Sequence, residues 1–155
     1  IFQEKKLENS NFILNLGLNE GEKINKYSKI LHDAANLSLP MICVNPDLEV
    51  IRGKKKEFCA GSLALQYEKF GGKVKYFGKP YIEIYKKAMK KTKIKDKRKI
   101  LAIGDSLRTD ILGANNFQID SILVLSGIHK EIKEIEKICK KTNIYPKFLL
   151  NTLKY

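Results

Sequence analysis

Short apolar runs alternate with amphipathic stretches along the second half of the chain. The run Lys99-Ile100-Leu101-Ala102-Ile103 predicts a strand of the kind that is buried on both faces of a parallel sheet. Helical patterns follow over about 109–116 and 130–141, and further strands are predicted over 121–125 and near 148–150. Strands and helices that alternate at these short intervals indicate a parallel α/β sheet with right-handed crossovers.

The first half of the chain carries a similar pattern in shorter elements. We expect strands over 11–17, 41–44, 49–51 and 74–77, and helices over 23–37, 61–70 and 81–91. The last of these helices places its lysines on the outer face. The turn Gly78-Lys79-Pro80 directly follows a predicted strand. It is the best candidate for a boundary between two domains, one over residues 1–77 and one over 78–155.

Composition places the chain among soluble proteins. Hydrophobic residues make up 43% and charged residues 30% of its 155 residues. No apolar run approaches the roughly 18 residues that a membrane span needs, and no signal-peptide pattern opens the sequence. Three cysteines without paired spacing fit neither a disulfide framework nor a zinc site. We therefore expect a cytoplasmic protein with no membrane partner.

The chain is strongly basic. Its net charge of +13 arises from 30 lysine and arginine residues against 17 acidic residues. Such an excess can indicate a nucleic-acid or membrane-surface partner. Most of the excess is lysine spread along the chain, and the densest clusters, at 54–56, 86–91 and 95–99, have few aromatic residues and one arginine among them. This composition favours a solvated surface over a nucleic-acid interface.

Two aspartates follow the apolar strand near its carboxyl end, where ligands gather in open α/β sheets. Asp105 comes directly after Ile103-Gly104, and Asp110 follows five residues later, in the first turn of the next predicted helix. Carboxylates are suitable ligands for Mg²⁺, which takes one or two of them and keeps several waters. For Asp110 an alternative stays open, since acidic residues are favoured at any helix N-terminus.

Four short motifs, taken in order, resemble those of one enzyme superfamily. Residues 104–111, Gly-Asp-Ser-Leu-Arg-Thr-Asp-Ile, resemble the fourth motif of the haloacid dehalogenase (HAD) superfamily. The residues of this motif, which closes with Thr-Asp, are similar to those of the class IIA branch, which includes N-acetylglucosamine-phosphatase and p-nitrophenyl phosphatase relatives. Gly78-Lys79-Pro80 resembles the third motif. Upstream, Asn45-Pro46-Asp47 and Gly61-Ser62-Leu63-Ala64 resemble landmarks of the large α/β cap of that branch.

The resemblance implies a fold and a reaction. The fold would be α/β, with part of a Rossmann-like HAD core and its parallel sheet over 78–155 and an α/β cap over 1–77. The reaction would be Mg²⁺-dependent hydrolysis of a phosphate monoester through an aspartyl-phosphate. The substrate would be a small phosphorylated metabolite. Sugar phosphates, nucleotides and other small phosphomonoesters all fit the superfamily, and the sequence does not choose among them.

The resemblance also implies roles for individual residues. Asp105 would bind the metal directly, and Asp110 would complete the metal site or support the loop and Lys79. Lys79 would pair with the nucleophile and the phosphoryl oxygens, although one more surface lysine is its alternative reading. Asn45 and Asp47 would face the substrate, and a plain Asn-Pro-Asp turn explains them equally well.

The sequence departs from the superfamily at the nucleophile. No Asp-x-Asp occurs among the 155 residues, and the Ser or Thr motif that should precede the cap has no room before Phe12. Because the chain also starts at Ile1 rather than at a methionine, we expect a fragment that lacks the N-terminal nucleophile segment. The strand near 100–103 would then have an unpaired edge, covered by a second copy or by the missing half.

Three functions therefore stay open. The first is a phosphatase that is active once the missing half is supplied. The second is a catalytically incomplete module that binds metal and phosphate or a partner without turnover, which the missing Asp-x-Asp favours. The third is a basic nucleic-acid binder, whose affinity would fall steeply with salt.

Overall fold

The structure is a computed structural model that describes residues 6–52, 55–125 and 132–153. The chain divides into two compact units, Ile1–Gly78 and Lys79–Tyr155. The division falls inside the Gly78-Lys79-Pro80 turn. The interpretation of the two units as a cap and as half of a catalytic core stays a prediction.

The first unit contains a parallel sheet, two helices and an antiparallel hairpin. Its elements are β1 (Ile13–Asn15), α1 (Ser28–Asn36), β2 (Met41–Cys43), β3 (Glu49–Arg52), β4 (Lys55–Phe58), α2 (Ala60–Lys69) and β5 (Val74–Tyr76). The three-stranded sheet has the order β1-β2-β5, with Ile13 opposite Met41 and Met41 opposite Val74. All three strands are parallel, as the alternation of strands and helices predicts.

The core of the first unit lies between this sheet and the two helices. Its fully buried side chains come from one face of β2, Met41 and Cys43, and from α2, where Tyr67 is the largest. The Tyr67 hydroxyl donates a hydrogen bond to the carbonyl of Leu39, so its one polar atom is satisfied inside the core. Gly72 leaves space for the ring, because a Cβ there would come within 2.2 Å of it.

Two sequence predictions in this unit need correction. The strand predicted over 49–51 has a partner strand that we did not predict, β4, and the two pair antiparallel with Glu49 opposite Phe58. The helix predicted from residue 23 begins at Ser28, after a 3-10 turn over Ile24–Tyr27. The Glu22 carboxylate accepts hydrogen bonds from the side chains of Lys26 and Tyr27, which ties this turn to the loop before it.

The second unit is a parallel sheet with helices between its strands. Its elements are α3 (Ile82–Thr92), β6 (Leu101–Gly104), α4 (Leu112–Phe117), β7 (Asp120–Val124), α5 (Ile132–Thr142) and β8 (Phe148–Leu150). The sheet order is β6-β7-β8, with Ile103 opposite Ile122 and Ile122 opposite Phe148. The start of the last predicted helix, at 130–131, lies outside the described residues.

Two apolar clusters hold helices against this sheet. One joins Leu123 of β7 to Ile135 and Cys139 of α5, and the other joins Ala102 of β6 to Phe117 of α4. Tyr85 and Met89 of α3 pack against the second cluster, along with Ile82. The spacing of those three α3 residues follows the helical period, so the opposite face of α3 is left to its lysines.

The prediction that the strand over 99–103 is buried on both faces is wrong for the described chain. Leu101 is 47% exposed and Ile103 is 49% exposed. Both point to the same side of the sheet, since alternate residues of a strand share a face. In the described residues β6 pairs with β7 alone, so it is an edge strand with an uncovered apolar side.

The predicted fold class is confirmed. Both units combine helices with parallel strands, and in each a hydrophobic cluster joins helix and strand residues. Within the described ranges, no helix is both long enough and apolar enough to cross a membrane.

Candidate functional site

The candidate site lies at the carboxyl end of β6 in the second unit. The strand ends at Gly104, and Asp105 follows it directly. A π-helical turn over Leu107–Ile111 then leads into α4. The helix predicted from residue 109 is therefore two different structures, a wide turn and a short α-helix. In an open parallel sheet this end is where ligands bind, so the position agrees with the sequence prediction.

Asp110 is the centre of the site's hydrogen-bond network. Its Oδ1 accepts from the ammonium of Lys79, and its Oδ2 accepts from the backbone N–H of Ser106 at 3.1 Å. The Asp110 side chain is 8% exposed and that of Lys79 is 47% exposed. The structure thus brings together two predicted site residues that lie 31 positions apart, one buried and one with a half-exposed side chain.

Gly104 allows Asp110 to reach this position. A Cβ at residue 104 would lie 2.1 Å from Cγ and 2.2 Å from Oδ2 of Asp110, distances that real side chains do not show. The carboxylate therefore lies directly on the backbone at the end of β6. Glycine is needed at position 104 because the Asp110 side chain approaches the backbone closely there, and any side chain at 104 would displace the aspartate.

Ser106 shapes the turn between the two aspartates. Its carbonyl accepts from the backbone N–H groups of Asp110 at 3.0 Å and Ile111 at 3.1 Å, and the second of these bonds is the wide π-type closure. Its hydroxyl accepts from the N–H of Thr109 at 3.3 Å. Thr109 is 1% exposed, and among the described residues its hydroxyl has no hydrogen-bond partner. Turns of this type occur often at functional sites.

Tyr85 supports the network from α3, and sequence reasoning missed it. Its hydroxyl lies 3.5 Å from the Asp110 carbonyl, and its ring stacks on Phe117 with centroids 5.3 Å apart. A Cβ at Gly113 would come within 2.2 Å of the hydroxyl, so that glycine leaves room for it. Burial, and then the Asp110 charge, raise the pKa of Tyr85 to about 12, so the phenol stays protonated at neutral pH.

Asp105 stands apart from this network. It is partly buried, and in the described ranges no hydrogen bond or ion pair involves its carboxylate. The same ranges contain no group of three or more His, Cys, Asp or Glu side chains close enough to hold a metal ion. A single carboxylate at a strand end still fits Mg²⁺, which often binds through one or two protein carboxylates with water completing its shell.

The remaining predicted residues, Asn45 and Asp47, lie in the first unit, in the turn after β2. The Asn45 side chain accepts from the backbone N–H of Asp47 at 3.2 Å, and the Asp47 carbonyl accepts from the N–H of Gly61 at 3.0 Å. A Cβ at Gly61 would lie 2.2 Å from the Pro46 carbonyl oxygen. This turn therefore covers the start of α2, which gives it a structural role. A substrate role for its side chains stays a prediction.

Comparison with known proteins identifies relatives of the chain. A family model described as HAD-hydrolase-like matches residues 76–154. The ribonucleotide monophosphatase NagD of Escherichia coli K12 is 36% identical over 88 residues, which are 56% of this chain and 34% of that protein. The 4-nitrophenylphosphatase of Schizosaccharomyces pombe is 36% identical over 85 residues, which are 52% of this chain and 28% of that protein.

Solved structures agree over almost the whole chain. A haloacid dehalogenase-like hydrolase of Brucella suis 1330 superposes with a TM-score of 0.84 at 29% identity, covering 99% of this chain and 59% of that one. A protein described as a possible sugar phosphatase of the HAD superfamily, from Cytophaga hutchinsonii, gives a TM-score of 0.77 at 26% identity, covering 99% of this chain and 56% of that one. The chain therefore spans less than two thirds of the length of these relatives.

These matches define the class: a domain with the mixed α/β fold of HAD-like hydrolases. The chain belongs to the HAD-hydrolase-like family. The resemblance that four short motifs indicated is thereby confirmed, including its class IIA branch of nitrophenyl phosphatase relatives.

Proposed function

We propose that this chain provides the metal-binding and lysine-bearing part of the active site of a phosphomonoester hydrolase. The observation that carries the proposal is the Lys79–Asp110 ion pair, whose aspartate contacts the backbone at the end of β6, the strand end that Asp105 directly follows. Membership of the HAD-hydrolase-like family and similarity to phosphatases support it. The activity is proposed for the protein as a whole, and the relatives that support it are longer than this chain.

Lys79 is the residue we propose to contact the phosphoryl group. Its ammonium pairs with Asp110, and its side chain is 47% exposed, so an anionic ligand can approach it from solvent. A fixed ammonium stabilises charge that develops on the phosphoryl oxygens, because it needs no reorganisation during the reaction. Asp110 acts through Lys79, and it is a positioning residue in this proposal.

Asp105 is the proposed direct ligand of Mg²⁺. Both oxygens of Asp110 already accept hydrogen bonds, from Lys79 and Ser106, whereas the Asp105 carboxylate has no such partner in the described ranges. Of the two metal ligands that the sequence suggested, the geometry thus favours Asp105, with Asp110 in support. When bound, Mg²⁺ would neutralise phosphoryl charge and align the phosphate with its nucleophile.

The nucleophile must come from other polypeptide. None of the six aspartates of the chain forms an Asp-x-Asp, so the aspartyl-phosphate step needs a carboxylate from a segment outside these 155 residues. The edge position of β6 among the described residues supports strand pairing with that segment, and the half-exposed Leu101 and Ile103 support its packing on the uncovered face of β6. Pairing with a second copy of the chain is the alternative occupant.

We propose a small phosphorylated metabolite as substrate and the cytoplasm as the place of action. The relatives include a ribonucleotide monophosphatase, a 4-nitrophenylphosphatase and a possible sugar phosphatase, whose substrates share only the phosphomonoester group. Asn45 and Asp47 are proposed to help select the substrate. The three cysteines have no paired spacing, which fits a reducing compartment.

Hydrolysis of p-nitrophenyl phosphate tests the proposal. The chain would be assayed with Mg²⁺, alone and after co-expression with the N-terminal segment of a relative that carries Asp-x-Asp. We expect activity in the complex alone, reduced at least a hundredfold by Asp105→Ala or Lys79→Met. Asp120→Ala, at an exposed aspartate paired with Lys147, is the matched control and should leave activity unchanged.

A second function, a metal- and phosphate-binding module without turnover, is favoured by the missing Asp-x-Asp. A folded complex that binds Mg²⁺ and inorganic phosphate with Asp105 dependence, yet hydrolyses nothing, would establish it and overturn the phosphatase. Binding of phosphate that Lys79→Met leaves intact would contradict both functions.

A further inference from the structure

One helix of the second unit carries an unbalanced concentration of positive charge. The segment over 82–95 contains six lysines and a single acidic residue, Glu83. We call the six lysines the lysine surface: Lys86, Lys87, Lys90, Lys91, Lys93 and Lys95. All six are exposed. They belong to a longer basic stretch over 86–99, which continues with Asp96, Lys97, Arg98 and Lys99, in a chain whose net charge is +13.

Packing explains why the four lysines of α3 share its outer side. The inner side of the helix is formed by Ile82, Tyr85 and Met89, which pack on the cluster around Phe117. Residues at the remaining helical positions face away from that cluster. Lys93 and Lys95 follow directly after the helix, which ends at Thr92.

No lysine of this surface makes an ion pair within the described part of the chain. Other lysines of the same unit do have partners: Lys79 pairs with Asp110, Lys147 pairs with Asp120, and Lys97 donates to the Phe117 carbonyl at 2.7 Å. Lys86 and Lys90 are like charges four residues apart on a helix, as are Lys87 and Lys91, and such spacing disfavours the helix. Helix stability therefore does not account for the pattern.

The chemistry of the surface fits a phosphate backbone better than other polyanions. Lysines are depleted at protein–protein interfaces, which argues against an acidic protein. A helix that inserts into an anionic membrane needs a free apolar face, whereas the apolar face of α3 is packed against Phe117. The surface has no arginine and no aromatic member, so it lacks the groups that read or stack on bases.

Its size also fits. From Lys86 to Lys91, the part of the surface on α3 extends roughly 8 Å, from a rise of about 1.5 Å per helical residue. Duplex DNA carries one charge per about 1.7 Å of axis with both strands counted, so that length of duplex carries about four phosphates, against the four ammonium groups on the helix. We propose that the lysine surface binds the phosphate backbone of a nucleic acid without sequence preference. Sequence composition alone favoured a solvated surface, and the concentration on one packed helix changes that balance.

Fluorescence anisotropy with a labelled 20-base-pair DNA duplex tests the proposal. We expect binding by the full chain at low salt, with log K falling against log [NaCl] at a slope between about −3 and −5. The variant Lys86→Gln/Lys87→Gln/Lys90→Gln/Lys91→Gln should bind at least tenfold more weakly. Its salt slope should be less negative by about 3, since each lost phosphate contact removes about one unit. A duplex of different sequence should give the same result.

The matched control changes the same number of charges on another helix of the same unit. Lys133, Lys137, Lys140 and Lys141 are exposed residues of α5, and their joint replacement by Gln should weaken binding less than threefold. Circular dichroism checks the fold of both variants. If the quadruple α3 variant lost helix, the paired variants K86Q/K87Q and K90Q/K91Q would replace it.

Four outcomes would overturn the proposal. They are no binding at 50 mM NaCl, equal losses in the α3 and α5 variants, equal affinity for a poly-glutamate peptide, and equal affinity for phosphatidylserine vesicles with the same dependence on α3. The second outcome would show that binding depends only on the net charge of the chain. The last two would assign the surface to an acidic protein or a membrane.

Discussion

The carboxylate of Asp110 lies directly against the backbone of Gly104, so closely that a Cβ at 104 would stand 2.2 Å from its Oδ2. The two residues belong to different elements, a strand end and a π-helical turn. Their contact fixes where the carboxylate can meet Lys79. The geometry of the site therefore depends on the absence of a side chain six positions before the aspartate.

Gly104→Ala should displace Asp110 and destabilise the second unit. Overpacking of this kind costs about 1–3 kcal/mol, because the backbone and the aspartate must both shift. Urea unfolding followed by amide NMR signals of the second unit would measure it. In an Asp110→Ala background, which lacks two of the three clashing atoms, the same substitution should cost less. An equal cost in both backgrounds would contradict the contact.

Asp110→Asn should destabilise the second unit although it preserves shape. In Asp110, one carboxylate oxygen accepts from Lys79 and the other accepts from the Ser106 N–H. Asparagine replaces one of these oxygens by an NH₂ group, so a donor would then face either Lys79 or the Ser106 N–H, which are themselves donors. A buried polar mismatch costs about 1–3 kcal/mol, and the half-exposed Lys79 recovers part of this by hydration. Asp120→Asn removes an exposed pair with Lys147 and should cost less than about 1 kcal/mol. Similar losses for the two variants would contradict the network.

Glu22 makes the stability of the first unit depend on pH in the acid range. Hydrogen bonds from Lys26, and then from Tyr27, lower the pKa of Glu22 to about 2. Because the folded pKa lies below the ordinary value of 4.5, the contribution is complete above pH 4.5 and is lost as the pH falls toward 2. Thermal unfolding between pH 5 and 2 should show this loss, and Glu22→Gln should reduce it. Glu20→Gln, at an exposed neighbour, should leave the pH dependence unchanged.

Local pattern carried most of the fold prediction. The apolar run ending at Ile103 and the glycine after it placed Asp105 at the end of a parallel strand, and the structure has it there. The burial of that strand was predicted wrongly, because a run of apolar residues does not reveal which side of its sheet is covered. Strand β4 was missed because Lys55, Lys56 and Glu57 give it a polar composition. It is a strand because its backbone pairs with β3, which the local sequence does not indicate.

The site was only partly visible in the sequence. Its motifs indicated Lys79 and Asp110, but the π-helical turn between Ser106 and Ile111 has ordinary helical spacing and arises from one carbonyl with two donors. Tyr85 was interpreted as an apolar position of an amphipathic helix. Its polar role depends on Asp110, 25 residues away, and no local pattern reports that contact.

Tyr85→Phe tests that contact through alkaline pH. Burial, then Asp110, raise the pKa of Tyr85 to about 12, above the ordinary value of 10. A group with a raised folded pKa stabilises the fold fully below pH 10, and this stabilisation is lost as the pH rises through 12. Burial also raises the pKa of Tyr67, and the hydrogen bond with Glu22 raises that of Tyr27. Absorbance titration at 295 nm should therefore show a late step whose amplitude Tyr85→Phe reduces by one tyrosine, at a cost below about 1 kcal/mol at neutral pH. A late step of unchanged amplitude in Tyr85→Phe would contradict the assignment.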